Sequence, residues 1–201
     1  FTNTDWHLIR ECPVPLWLVK PTRAPGHANV MAAIDPMHER DQTAALDQRI
    51  IRTAQLFATM FEDRVDLVHV FEPPPSPVIG VFPTTAPATP AVDPELLGRA
   101  RQAHEKALQT LAADGGFPAG QVHFREGNPA NVLPEVAGEL HADIVVMGAI
   151  ARSALQRAIV GHTAEIALDR FPCDVVIVKP EGFETPVAAI PPIHGYAEKT
   201  G

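Results

Sequence analysis

Gly161-His162-Thr163 stands at the head of a stretch with helical spacing. Backbone N–H groups at a helix start have no intrahelical partners and lie at the positive end of the helix dipole. Together with the Thr163 hydroxyl they could therefore receive phosphate oxygens. The same residues equally suit a plain turn, in which Gly161 permits the bend and Thr163 caps the helix. Arg152 and Arg157, just upstream, could neutralise an anion there or simply be solvated. His69 lies inside an apolar run, where it reads either as a ligand or as a core-edge histidine bonded to backbone. The nine histidines and two cysteines give no HExxH, HxxxH or CxxC spacing, and no GxSxG elbow offers a nucleophile. The spacings thus nominate no metal site and no catalytic residue.

A phosphate cradle works only where the surrounding elements leave a crevice. Short apolar runs alternate with helical stretches along the chain: strands at Val30–Ile34, Val65–Phe71, Val122–Arg125, Ile144–Met147 and Val175–Val178, with helices over Asp41–Phe61, Pro94 to about Ala113, and from the Asn128-Pro129 cap to near Leu140. A further helix is expected from about Thr163 to Phe171. Strands with almost no polar alternation, separated by helices, predict an open, doubly wound parallel sheet covered on both faces, an α/β fold. In such sheets ligands bind beyond the carboxyl ends of the strands, where the strand order reverses. Asp35, Val70, Met147 and Gly148 close three of these strands, and the segment running to Thr163 follows directly.

Composition narrows the function classes. At 201 residues and 46% hydrophobic content, the chain has material for one well-buried domain plus appendages. A formal charge of −8 opposes the phosphate neutralisation that drives non-specific nucleic-acid binding. No apolar run approaches the roughly 20 residues of a membrane span, and sparse cysteine predicts a reducing, cytoplasmic setting. Residues 72–94 carry repeated prolines and read as a long loop; Val78, Ile79, Val81 and Phe82 could line an apolar pocket for an acyl ligand, or belong to a surface connector. Residues 181–201 read as a tail.

The two ends of the chain match each other. Thr4 to Pro21 and Thr163 to Pro180 share, in order, a threonine, a helical stretch, a proline, an apolar strand and a closing Val-Lys-Pro, at an offset of 159 residues. That is one domain length, so residues 1–21 read as the final helix and strand of an upstream copy, 22–28 as a linker and 29–180 as a full domain.

Gly148, Ala151 and Gly161 stand at the positions of a Gly-two-Gly-nine-Gly signature. Asp35 follows the first strand, His69-Val70 closes the second, Gly127-Asn128-Pro129 follows the third, and Ala142-Asp143-Ile144-Val145-Val146-Met147-Gly148 forms the fourth. This pattern resembles the universal stress protein family, and the N-terminal piece resembles the end of the first repeat in its tandem E-type members. The resemblance implies a Rossmann-like five-stranded parallel sheet with an extra antiparallel strand from the upstream repeat. It also implies a ligand site at Asp35, Val70, Met147, Gly148, Ala151, Gly161, His162 and Thr163, beside which Arg152 is a candidate from its charge and position. Ala151 and His162 depart from the nucleotide-binding pattern, a Cβ and an imidazole standing where glycine and a small hydroxyl are usual. The expected function is a stress-response module that binds a ligand, hydrophobic or acyl, and associates without chemistry of its own. The alternative is an ATP-binding member whose nucleotide occupancy or slow hydrolysis switches conformation. An adenylate-forming enzyme would need a phosphate motif near the first strand, where Ile34-Asp35-Pro36-Met37-His38 supplies none.

An open sheet also ends in edge strands that invite pairing. By the resemblance, residues 15–20 should pair antiparallel with 174–179, within one chain or between two, and a homodimer through last-strand pairing is the expected partner arrangement.

Overall fold

A computed structural model describes residues 3–21, 28–37, 41–74, 93–149, 167–185 and 187. The elements run α1 (Asn3–Glu11), β1 (Leu16–Leu18), β2 (Val30–Ala33), α2 (Asp41–Phe61), β3 (Val65–Phe71), α3 (Pro94–Asp114), a short 3₁₀ turn (Ala119–Gln121), β4 (Val122–Glu126), α4 (Pro129–Glu139), β5 (Ile144–Gly148) and β6 (Asp174–Val178). Residues 167–170 are helical and lead into β6. The 3₁₀ turn, which carries no apolar periodicity, was the one described element not anticipated.

The six strands form one sheet in the order β1-β6-β5-β2-β3-β4. All neighbours are parallel except β1 and β6, which are antiparallel. Every residue of β2, β3 and β6 is buried, which accounts for their unbroken apolar character. The period of two still operates, because alternate residues feed two separate cores. Met31, Ala33, Val68, Val145 and Ile177 pack beneath α4, α1 and residues 167–171. Val30, Ala32, Leu67, Val146 and Val176 pack beneath α2 and α3.

The helix ends follow local chemistry. Asn128 Oδ1 accepts the Ala130 amide at 2.9 Å and Pro129 occupies the first helical position, as the sequence predicted for α4. Asp93 does the same for α3 by accepting the Glu95 amide at 2.9 Å, with Pro94 following.

The β1–β6 pairing has a distinctive register: Leu16 lies opposite Ile177, Trp17 opposite Val176, and Leu18 opposite Val175. With the 159-residue offset, Trp17 faces its own counterpart in the other repeat, so a pseudo-two-fold axis passes through this pair. The lysines of the two Val-Lys-Pro ends obey the same axis. Lys20 Nζ donates to the carbonyls of Phe171 and Leu168, the latter at 3.4 Å, while Lys179 Nζ donates to the carbonyls of Ile9 and Arg10, the latter at 3.3 Å. Leu168 is the repeat equivalent of Ile9. Each lysine therefore caps the helix of the other repeat, supplying donors to carbonyls that a helix end leaves open.

Candidate functional site

The strand order reverses between β2 and β5: β3 and β4 lie to one side of β2, β5 and β6 to the other. Ala33 is level with Met147 on β5 and with Val68 on β3. Asp35, two residues beyond Ala33, thus comes to the carboxyl end of the sheet together with Met147-Gly148 and Val70. These four sequence-predicted residues are assembled at one end by topology alone. Ala151, Arg152, Gly161, His162 and Thr163 lie outside the described residues, as do Arg157 and the apolar positions 78–82 of the Pro-rich segment.

Asp35 is placed from below. The buried Asp47 of α2 accepts the Asp35 amide at 3.1 Å, fixing the backbone where β2 ends. The Asp35 carboxylate itself is 42% exposed and faces the rim. Val70 and Met147 are each 8% exposed and belong largely to the core on the α4 side. Gly148 lies against α2: a Cβ built there would meet Leu46 Cδ2 at 2.8 Å and Ile50 Cδ1 at 3.3 Å. Its lack of a side chain therefore has a packing cause independent of any ligand. At the neighbouring strand end, Gly127 adopts φ +137°, a conformation that favours glycine, and its amide donates to Phe71 O at 2.9 Å. Asn128 Nδ2 donates to Glu72 Oε1 at 2.6 Å across the same rim.

Beside Asp35 the structure assembles a group that the spacings did not reveal. His69, 2% exposed on β3, has Nδ1 3.0 Å from the carbonyl of Ile34. A carbonyl only accepts, so Nδ1 carries the hydrogen and Nε2 is left to accept from His104 Nδ1, 2.8 Å away on α3. The two rings lie 9° from parallel with centroids 5.1 Å apart, the in-plane arrangement of imidazoles joined edge to edge. Burial pushes the His104 pKa down, and the Asp35 carboxylate partly offsets this. His69 thus bonds backbone at the core edge, as one sequence reading expected, and also holds a second histidine. His104 and Asp47 were missed. The available signal was the inward stripe Leu97, His104, Leu108, Leu111 on α3, in which a histidine takes an apolar position.

An open groove of about 460 Å³ runs between α2 and α3 from Pro36 and Asp47 past Ala103, Ala107 and Leu111. Among the described residues no helix is long and apolar enough to cross a membrane.

Known proteins agree with this architecture. Residues 28–179 match the Universal stress protein family. The chain is 33% identical to Universal stress protein E of Escherichia coli K12 over 93% of its own length and 58% of that protein's, and 31% identical to Universal stress protein E of Photorhabdus laumondii, covering 59% of it. It thus spans little more than half the length of the curated relatives it matches. A Pseudomonas aeruginosa UCBPP-PA14 protein, solved as a candidate universal stress protein, superposes with TM-score 0.72 at 27% identity, over 90% of this chain and 57% of that one. A universal stress protein from Archaeoglobus fulgidus shares the fold at TM-score 0.55 and 17% identity, over 89% of this chain and 55% of its own. With 152 consecutive residues matched on a sheet of this topology, the chain belongs to the universal stress protein family.

Proposed function

We propose that this chain is a stress-response module that acts by binding a small ligand and by associating with a second domain of its own kind, without chemistry of its own, in the cytoplasm. The observation that carries this reading is the reciprocal β1–β6 seam, in which each repeat's lysine closes the other repeat's helix. A domain built to complete another is an association device, and its carboxyl-end crevice is where a ligand would modulate that association. The apolar lining of the α2–α3 groove favours a hydrophobic or acyl ligand. β1 occupies the edge of β6 within the same chain, so a homodimer through last-strand pairing would form by exchange of α1 and β1, or through the outer edge of β1, where Val14, Trp17 and Val19 are exposed. Residues 1–21 are accordingly read as a helix and strand of an upstream copy, 22–28 as a linker and 29–180 as the domain whose sheet β1 extends.

The alternative, an ATP-binding module switched by occupancy or slow hydrolysis, is favoured by the partly exposed Asp35 beside Gly148 at the strand-order reversal. Asp35, Val70, Met147 and Gly148 would then flank the base and ribose, with Ala151, Arg152, Gly161, His162 and Thr163 toward the phosphates. Calorimetric titration with ATP and magnesium separates the two. Sub-micromolar binding establishes the nucleotide reading, and heat-free titration together with an apolar molecule in native mass spectra of the purified chain establishes the first.

A further inference from the structure

Three side chains that commonly ligate metals converge at the end of β2 and β3. The Asp35 carboxylate, one nitrogen of His69 and one of His104 all lie within 4.8 Å of one another. They come from three elements, β2's end, β3 and α3, separated by 34 and 35 residues of sequence, which is why no short motif announces them. Burying His69 and half-burying His104 on a strand and a helix face that otherwise carry Phe71, Phe124 and Leu108 costs desolvation that an apolar pair would avoid. That cost points to a function beyond packing.

We propose that Asp35, His69 and His104 bind a divalent transition ion of the zinc class. The donor set, two imidazole nitrogens and one carboxylate oxygen, is the kind such ions prefer. One nitrogen of His69 is already held: the Ile34 carbonyl engages Nδ1, which lies 4.0 Å from Asp35 Oδ1, and directs the Nε2 lone pair toward His104, the support that metal-bound histidines usually receive. In the structure the proton of His104 Nδ1 occupies the space between the rings, and the nitrogens are 2.8 Å apart. Tetrahedral coordination with bonds of about 2.0–2.1 Å separates two ligand nitrogens by roughly 3.3 Å. Because the rings are nearly coplanar and their nitrogens face each other, His104 must swing out of that line as well as part from His69 by about half an ångström, and must move its proton to Nε2. The ion replaces a shared proton. His104 can move because it is only half-buried, whereas His69 is fixed. Asp35, 42% exposed, is the ligand nearest solvent and leaves the ion a coordination position toward the crevice.

The test uses the full chain, stripped with chelator and free of nucleotide, titrated with Zn²⁺ by calorimetry and with Co²⁺ by visible absorption. One equivalent should bind, with the visible bands of four-coordinate cobalt. His104→Ala and Asp35→Asn should each weaken binding at least about tenfold, since even outer-shell changes reach that size. His7→Ala, at a remote exposed histidine, should leave it unchanged. Far-UV circular dichroism establishes that each variant is folded. If His104→Ala does not fold, Asp35→Asn, at a partly exposed side chain, decides alone. An absence of cobalt bands in the wild type, or equal affinity in the folded ligand variants, overturns the proposal. Neither outcome depends on whether ATP or an apolar molecule binds.

Discussion

Gly148 lacks a side chain for a reason that packing alone supplies, and that reason can be tested apart from the proposed ligand role. Gly148→Ala brings a methyl group to 2.8 Å from Leu46 Cδ2 and 3.2 Å from its Cγ, so α2 or Leu46 must shift. Overpacking of this kind costs about 1–3 kcal/mol, to be read as a lower urea midpoint with unchanged slope. Lys179 gives a pH-dependent counterpart. Burial pulls its pKa from 10.5 down to about 8, with Cys12 nearby working in the opposite sense. Between those values the unfolded chain holds a proton that the folded chain has released, so stability should rise with pH across that window. Comparing thermal midpoints from pH 7 to 10 for wild type and Lys179→Met checks this: the difference between them should change across the window, because only the wild type carries the titrating amine. These residue-level causes were poorly legible in the sequence. A glycine after an apolar strand reads as part of a phosphate motif, and nothing in Val178-Lys179-Pro180 says that the lysine turns inward to the end of another helix.

At the scale of elements the sequence was far more readable, because burial on both faces forces the strands to be continuously apolar and caps are written in short polar motifs. Asn128-Pro129 predicted the start of α4, and Asn128→Ala should cost about 1 kcal/mol of stability in chemical denaturation. The assembly of Asp35, Val70, Met147 and Gly148 at one end also followed from strand order. The His69–His104 contact did not, since α3 and β3 are brought together only by packing. The lysine caps make a reciprocal prediction. Lys20→Met should raise deuterium uptake chiefly in helical residues 167–170, and Lys179→Met chiefly in α1, each substitution acting on the helix far from it in sequence. Uptake rising in the helix of the mutated repeat instead would contradict the crossed arrangement.

For the whole molecule, the edge of β1 is where the proposed association can be tested. Val19 is 68% exposed and Trp17 40%, while Trp17 Nε1 remains bonded to Asp174 Oδ2 at 3.0 Å and its ring meets Phe57 edge-on at 5.1 Å. Val19→Lys should shift sedimentation toward monomer if that edge forms the dimer, and leave the profile unchanged if dimers arise by exchange of α1 and β1, because exchange re-forms the same seam. This level was legible only in part: the matched ends announced a duplication, but the register that makes the seam symmetric emerges only when the two strands are laid side by side.

That register places an indole directly across from an isopropyl group, Trp17 from Val176. A strand facing a copy of itself must tolerate either two bulky groups at the axis or two small ones. A duplicated chain escapes that constraint and divides the space unequally. The unequal fit works as a recognition code: β6 set against a second β6 would leave a hollow where the indole belongs, and β1 set against β1 would crowd it. On packing grounds each half should prefer its unlike sister, and an exchange of α1 and β1 between chains would keep that unlike pairing.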